Sequence, residues 1–202
     1  MSEFTLHCFT ESGNAYKAAL MLELSGCDWS PKFIPFFEGA TRDPAWRESV
    51  NEMGEAPVLE HRGRRFTQSG VILDYLAETT GRYAAGNDDE TREIWRWILF
   101  DNHKFTSYYA TLRFLYGLQN SGETPVTEFL RARARAAYAV VDKHLAKADF
   151  LVGAARPSPT FRSPAISSTR RRPASTGRPN SRMSRPSRSG SPRCPAGRRR
   201  PT

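Results

Sequence analysis

The first place in this chain where chemistry is legible is a strand-to-helix junction with polar side chains. Phe4–Phe9, FTLHCF, is a short β-rich run. Ser12-Gly13-Asn14 follows it and leads into the helical segment AYKAALMLELSG. A hydroxyl at Ser12 sits where unpaired backbone N–H groups and the helix dipole favour an anion. There it can donate a hydrogen bond to a thiolate or simply cap the helix, and the residues alone leave both readings open. Asn14 and Thr10 are the other polar candidates in the same loop. Gln68-Ser69 opens a second helix, so Ser69 is either half of a carboxylate site at a helix N-terminus or a plain cap. Pro57 begins the run PVLEH, the place of an edge or strand-start proline.

Other chemistries are excluded by what is missing. Cys8, Cys27 and Cys194 form neither a disulfide scaffold nor a CxxC or Cys/His spacing, so no metal is expected. No apolar run approaches the ~20 residues that span a membrane. The opening MSEFTLHCFTESG lacks the basic and apolar regions of a secretory signal. A reducing cytoplasm is the expected location.

The elements that must position these residues follow from periodicity. Ala18, Met21, Leu22 and Ser25 share helical spacing, and Gly26 is a fitting stop. Lys32–Phe37, KFIPFF, reads as a second strand, with Pro35 suited to an edge. Asp43–Val50 reads as a short helix. Pro57–His61 and Arg64–Thr67 read as a hairpin around Arg62-Gly63. Gln68–Thr80 is an amphipathic helix with Val71, Leu73, Tyr75 and Leu76 available for burial. The order β-α-β-α-β-β-α is that of a small α/β sheet with helices. After a Gly/Asn/Asp-rich stretch, Gly81–Asp88, a long helical segment runs over Glu90–Leu118. Thr124-Pro125 then starts another helix reaching about Lys147, with Thr124 as cap and Pro125 at the first position.

Charge divides the chain in two. The net charge is +9, yet residues 154–202 contain 13 Arg, no Lys and no acid, whereas residues 1–153 hold 17 basic and 21 acidic residues, a net of −4. Nine of the 14 prolines also fall in the last 49 residues. A nucleic-acid role through this tail is therefore an alternative, but the body itself is mildly acidic. The tail has too few apolar residues to offset the entropy of ordering, so disorder is expected.

Four features occur in a fixed order: Ser-Gly-Asn-Ala-Tyr-Lys between strand and helix at Ser12–Lys17, NEMGEAPVL at Asn51–Leu59, FTQSGVILDYLAE at Phe66–Glu78, and FLVG at Phe150–Gly153 after two long helices. Over residues 4–153 this set resembles the cytosolic glutathione S-transferase superfamily, of the bacterial serine-using kind. The resemblance implies an α/β thioredoxin-like domain over 1–81 and a truncated all-α domain over 88–153. It implies glutathione as co-substrate, a small hydrophobic electrophile as partner, a homodimer and a role in detoxification. It makes Ser12 the thiol-activating hydroxyl, with Asn14 and Thr10 as runners-up. Beyond a cis Pro57, Val58 would offer its N–H and C=O to the cysteinyl part of glutathione. Ser69 would hold the γ-glutamyl carboxylate and Gln68 the amino end, with Lys32 or Arg47 near the glycine carboxylate. Tyr108, Tyr109, Phe105 and Trp97 would wall an electrophile pocket, form core or lie in the dimer interface. Ser12–Ala15 stands where thiol-redox relatives carry CxxC, and it has no cysteine, which argues against glutaredoxin-like disulfide exchange. A non-catalytic glutathione-binding module is the other alternative.

The tail also has a coding explanation. Ser158–Thr169 with the start of Arg170 can be encoded by DNA that, read two bases later, gives ADLSIAGYLFYP. At the same offset Ser189–Gly197 can read RIAALPGW. Both resemble transferase helices, so residues 154–202 are expected to be out of frame.

Overall fold

Leu6 and Leu59 lie opposite each other in the middle of a four-stranded sheet, both fully buried. The computed structural model describes residues 2–153. The tail for which disorder and a shifted frame are expected lies outside the described residues. The strands are β1 (Phe4–Cys8), β2 (Trp29–Phe33), β3 (Val58–His61) and β4 (Arg64–Thr67), in spatial order β2-β1-β3-β4. β1 and β2 are parallel, which requires a crossover, and α1 (Gly13–Ser25) supplies it. The pairs β1–β3 and β3–β4 are antiparallel. Between β2 and β3 lies α2 (Pro44–Ser49), capped by Asp43. α3 (Ser69–Thr80) follows β4, and with α1 it encloses a core of Phe4, Leu6, Ala18, Met21, Leu22, Leu59, Ile72, Leu73 and Leu76. This is the expected thioredoxin-like α/β arrangement.

Two local expectations shift. β2 runs over Trp29–Phe33 rather than Lys32–Phe37, because it follows β1 in register from Phe4↔Trp29 to Cys8↔Phe33. The pairing closes with the Ile34 N–H donating to the Cys8 carbonyl, and Pro35, with no N–H of its own, cannot extend it. Pro31 is tolerated within β2 because that strand is at the sheet edge. In α3 the buried face is Ile72, Leu73 and Leu76, while Val71 is exposed. Tyr75 is half-buried, stacked on Phe66 at 3.7 Å.

His7 of β1 is buried, and its Nε2 lies 3.2 Å from Glu60 Oε1 on β3. Burial holds the imidazole below its usual pKa, outweighing the opposite pull of the Glu60 carboxylate. As pH falls through ~6.5 the unfolded chain takes up this proton before the folded one. The neutral histidine therefore contributes stability above that pH, and the contribution is lost on acidification. Denaturant midpoints should drop between about pH 7 and pH 5.5, and His7→Gln should flatten that stretch of the curve. Equal slopes for the two proteins would contradict the assignment.

The remaining described elements are helical. α4 (Asp88–Phe100) continues in wider, π-type turns over Asp101–Ala110 and Arg113–Leu118. α5 (Pro125–Leu145) starts at a reciprocal cap: Thr124 Oγ1 accepts the Thr127 N–H, and Thr127 Oγ1 accepts the Thr124 N–H. Trp97, Phe105, Ala137 and Val141 form a second core. An apolar groove of about 570 Å³ runs among α1, α3 and α4, with Phe150, Leu151 and Val152 in its wall. Among the described residues, no helix is long and apolar enough to cross a membrane.

Candidate active site

A cleft of about 760 Å³ lies where the N-termini of α1 and α3 converge. Ser12 is the N-cap of α1, and its Oγ accepts the Ala15 N–H at 3.1 Å. Capping and donation are thus compatible in one hydroxyl: the oxygen is occupied by the backbone, and the hydroxyl proton is left for a ligand. Thr10 differs, since its hydroxyl donates to Glu11 Oε2 at 3.2 Å on an exposed surface. Asn14, half-buried, lines the same cleft, and its Oδ1 accepts from Lys17 Nζ.

At the second helix, Gln68 is the cap position and Ser69 the first helical residue. Gln68 has φ 64°, a region that non-glycine residues avoid and that recurs at ligand sites. Its Nε2 donates to Glu55 Oε2 at 2.7 Å. Ser69 is half-buried on the cleft wall, at the end of the helix where the first amides have no helical partner. The Ala56–Pro57 bond is cis, and both residues line the cleft. Val58, next in the chain, is fully buried, paired with His7 on one side and Thr67 on the other.

Two expected cations lie elsewhere. Lys32 is exposed on β2 and is not on the cleft wall. Arg47 packs against Gly54, where a Cβ would come within 2.5 Å of its Nε and 2.8 Å of the Thr41 carbonyl, so only glycine fits that corner of the loop. Arg42 and Arg113 line the cleft instead. Of the aromatic set, Phe105 and Tyr109 face the cleft and are joined by Phe114. Trp97 belongs to the second core, and Tyr108 sits edge-on to Phe129. The cleft-lining residues of the wide helix recur every four positions, with Asp101, Phe105, Tyr109 and Arg113 as one series and Asn102, Thr106, Ala110 and Phe114 beside it. Among the described residues no group of three His, Cys, Asp or Glu could hold a metal ion.

Residues 2–78 match the glutathione S-transferase N-terminal domain family. A solved structure described as a possible glutathione S-transferase from Rhodopseudomonas palustris superposes with a TM-score of 0.71 at 28% identity, covering 76% of each chain. Residues 2–78 belong to the glutathione S-transferase N-terminal domain family, and the fold over about three quarters of the chain is similar to that of solved glutathione S-transferases. Among curated relatives, glutathione S-transferase F14 of Arabidopsis thaliana is 28% identical over 55% of this chain and 45% of its own length. Glutathione S-transferase GST-4.5 of Xanthomonas campestris is 32% identical over 52% of this chain and 53% of its own. The chain thus spans about half the length of the curated relatives it matches.

Within this transferase fold, sequence reasoning missed the groups that tie the Ser12 loop to the wide helix. Lys17 is buried and pairs with Asp101, 84 residues away. The Arg113 guanidinium donates to the Glu11 carbonyl at 2.6 Å, 102 residues away. The one available signal was a lysine inside the otherwise apolar run AYKAALML, which had to find a partner once buried.

Proposed function

We propose that this chain is a glutathione transferase, in which the cleft holds glutathione and Ser12 activates its thiol for conjugation to a small hydrophobic electrophile. The observation that carries this reading is the convergence of two helix N-termini on one cleft, each with a serine. The hydroxyl proton of Ser12 is not used by its capping bond, in which the oxygen accepts the Ala15 N–H, and Ser69 stands at the free amides of α3. Two positive dipole ends suit a ligand with a thiolate and a carboxylate.

In this reading Ser69 and the α3 amides hold the γ-glutamyl carboxylate, and Gln68, oriented by Glu55, takes the amino end. Beyond the cis Pro57, Val58 offers its backbone to the cysteinyl unit. Arg42 rather than Lys32 stands near the glycine carboxylate, because it lines the cleft. The thiol proton leaves to solvent. The sulfur then forms a bond to the electrophilic carbon, and the leaving group departs with the electron pair of the bond that breaks. Phe105, Tyr109 and Phe114 wall the electrophile. Residues 1–81 serve as the glutathione-binding part and 88–153 as the electrophile-facing part of a cytoplasmic homodimer.

Calorimetric titration with glutathione tests the site. Ser69→Ala should weaken binding by ~1–3 kcal/mol, since a bound carboxylate loses a donor. Turnover of a chloronitrobenzene should follow as a raised KM for glutathione. Identical titration curves for the two proteins would count against the carboxylate site, and binding without turnover would leave a non-catalytic module.

A further inference from the structure

Lys17 is a charged side chain in an apolar helix, 7% exposed, whose ammonium touches only two oxygens among the described residues: Asp101 Oδ2 on the wide helix and Asn14 Oδ1 in the activating loop. An ammonium has donors and no acceptor, so the Asn14 carboxamide must present its oxygen to Lys17. Its Nδ2–H₂ group is thereby directed away from the lysine, and it makes no hydrogen bond among the described residues. Asn14, Lys17 and Asp101 all line the cleft. Arg113 holds the same loop at the Glu11 carbonyl. The Glu11–Lys17 segment is thus fixed at two points to one helix, at positions 101 and 113.

We propose that Lys17 is a positioning residue for thiol activation: anchored on Asp101, it locks the carboxamide of Asn14 with its N–H donors toward the thiolate. The inference rests on the glutathione reading given above. Released from Lys17, the carboxamide would be free to rotate and turn its oxygen to the sulfur, which repels a thiolate where the N–H₂ group attracts it. Lys17 acts through Asn14 and touches no substrate, so the two must be coupled. Removing Asn14 should have little further effect once Lys17 is gone.

The experiment measures glutathione binding by calorimetry and the pKa of the bound thiol by thiolate absorbance, in the full chain and in Lys17→Met, Asn14→Ala and the double variant. Because Lys17→Met leaves Asp101 as an unpaired carboxylate, Lys17→Met/Asp101→Leu, which removes both charges, is included as the foldable version. Expected are unchanged glutathione affinity within about threefold, a thiol pKa raised by about one unit in every variant lacking Lys17, and no further rise when Asn14→Ala is added. A merely structural role would leave the pKa of the double charge-removal variant at the value of the parent chain, and that result overturns the proposal. Additive shifts from Lys17→Met and Asn14→Ala overturn it as well. Absence of glutathione binding by the parent chain overturns the reading on which the proposal rests. Normal binding with an unshifted thiol pKa overturns the Lys17 assignment alone.

Discussion

In the chain read two bases later after Pro157, Ser12→Ala should raise the pKa of the bound thiol by ~1–2 units and lower turnover at pH 6.5 about tenfold or more, with glutathione affinity little changed. A free thiol near pKa ~8.5 is only a few per cent thiolate at pH 7, and lowering it by ~2 units requires ~2.7 kcal/mol of preference for the charged form. One hydrogen bond to a charge contributes ~1.5–3 kcal/mol, and a helix N-terminus adds to it. In the proposed reading Ser12 supplies both, because its oxygen already accepts from Ala15 at the head of α1 and its proton is unspent. The pH dependence has a definite sign. A raised thiol pKa leaves the variant furthest behind at low pH, and the deficit should shrink as pH climbs past the new value. The same substitution removes a cap, so the melting midpoint should also fall, by ~1 kcal/mol of stability. Pre-steady-state rates across pH 6–9 separate the two effects. Retained activity in Ser12→Ala with loss in Asn14→Ala or Thr10→Ala would identify a different donor.

Reading the gene two bases later after Pro157 should turn a weakly active chain into a soluble, active enzyme. As written, the residues that follow Gly153 include Pro159, Arg162, Pro164 and Pro173. A proline inside a helix costs ~3 kcal/mol or more, and an unpaired arginine has no place against an apolar wall. The wall in question is the groove of Leu20, Met21, Leu73, Ile98 and their neighbours, which the chain itself reaches at Phe150–Val152. The shifted reading ADLSIAGYLFYP starts five residues beyond Gly153 and offers leucine, isoleucine, phenylalanine and tyrosine to that groove. Each large side chain buried is worth ~1.5–3 kcal/mol against a native stability of ~5–15 kcal/mol in total. We therefore expect the 202-residue product to melt early and broadly and to have little transferase activity, and the frame-corrected form to melt cooperatively at a clearly higher temperature. Resequencing codons 150–160 is the direct check. An unshifted gene whose product shows full activity, with residues 154–202 protected from hydrogen exchange, would sink the coding explanation.

Local chemistry was legible in the sequence, and distant chemistry was not. Thr124-Pro125, Arg62-Gly63 and Gly26 announce a cap, a hairpin turn and a helix stop through backbone rules that need only neighbours, and each stands where it was expected. The β2 boundary shifted because register is set by the partner strand, and nothing within KFIPFF encodes that β1 ends at Cys8. Val71 and Ile72 exchanged roles because adjacent positions on a helix differ by 100°, and the α1 face they meet is fixed by tertiary packing. At the cleft, Ser12, Asn14, Pro57, Gln68 and Ser69 came together as motif residues. Lys17–Asp101 and Arg113–Glu11 did not, since pairs that far apart in the chain leave no local pattern.

The four-residue repeat along the wide helix bears on how such a protein acquires new substrates. An ordinary α-helix would rotate residues spaced by four through roughly 40° at each step, so Asp101, Phe105, Tyr109 and Arg113 would wind off the cleft within a few turns. Wider turns advance a smaller angle per residue and so counter that drift, and all four of these residues line the cleft. The row begins and ends with the two residues that hold the thiol loop, and its middle carries the aromatic wall. In the proposed reading, substitutions at 106, 109 and 110 recut the electrophile pocket between two fixed posts, whereas Phe105 is also held in the second core. On that reading diversification falls on the wide helix and activation on the α1 loop that this helix holds at positions 101 and 113, so a lineage can explore the first without risking the second.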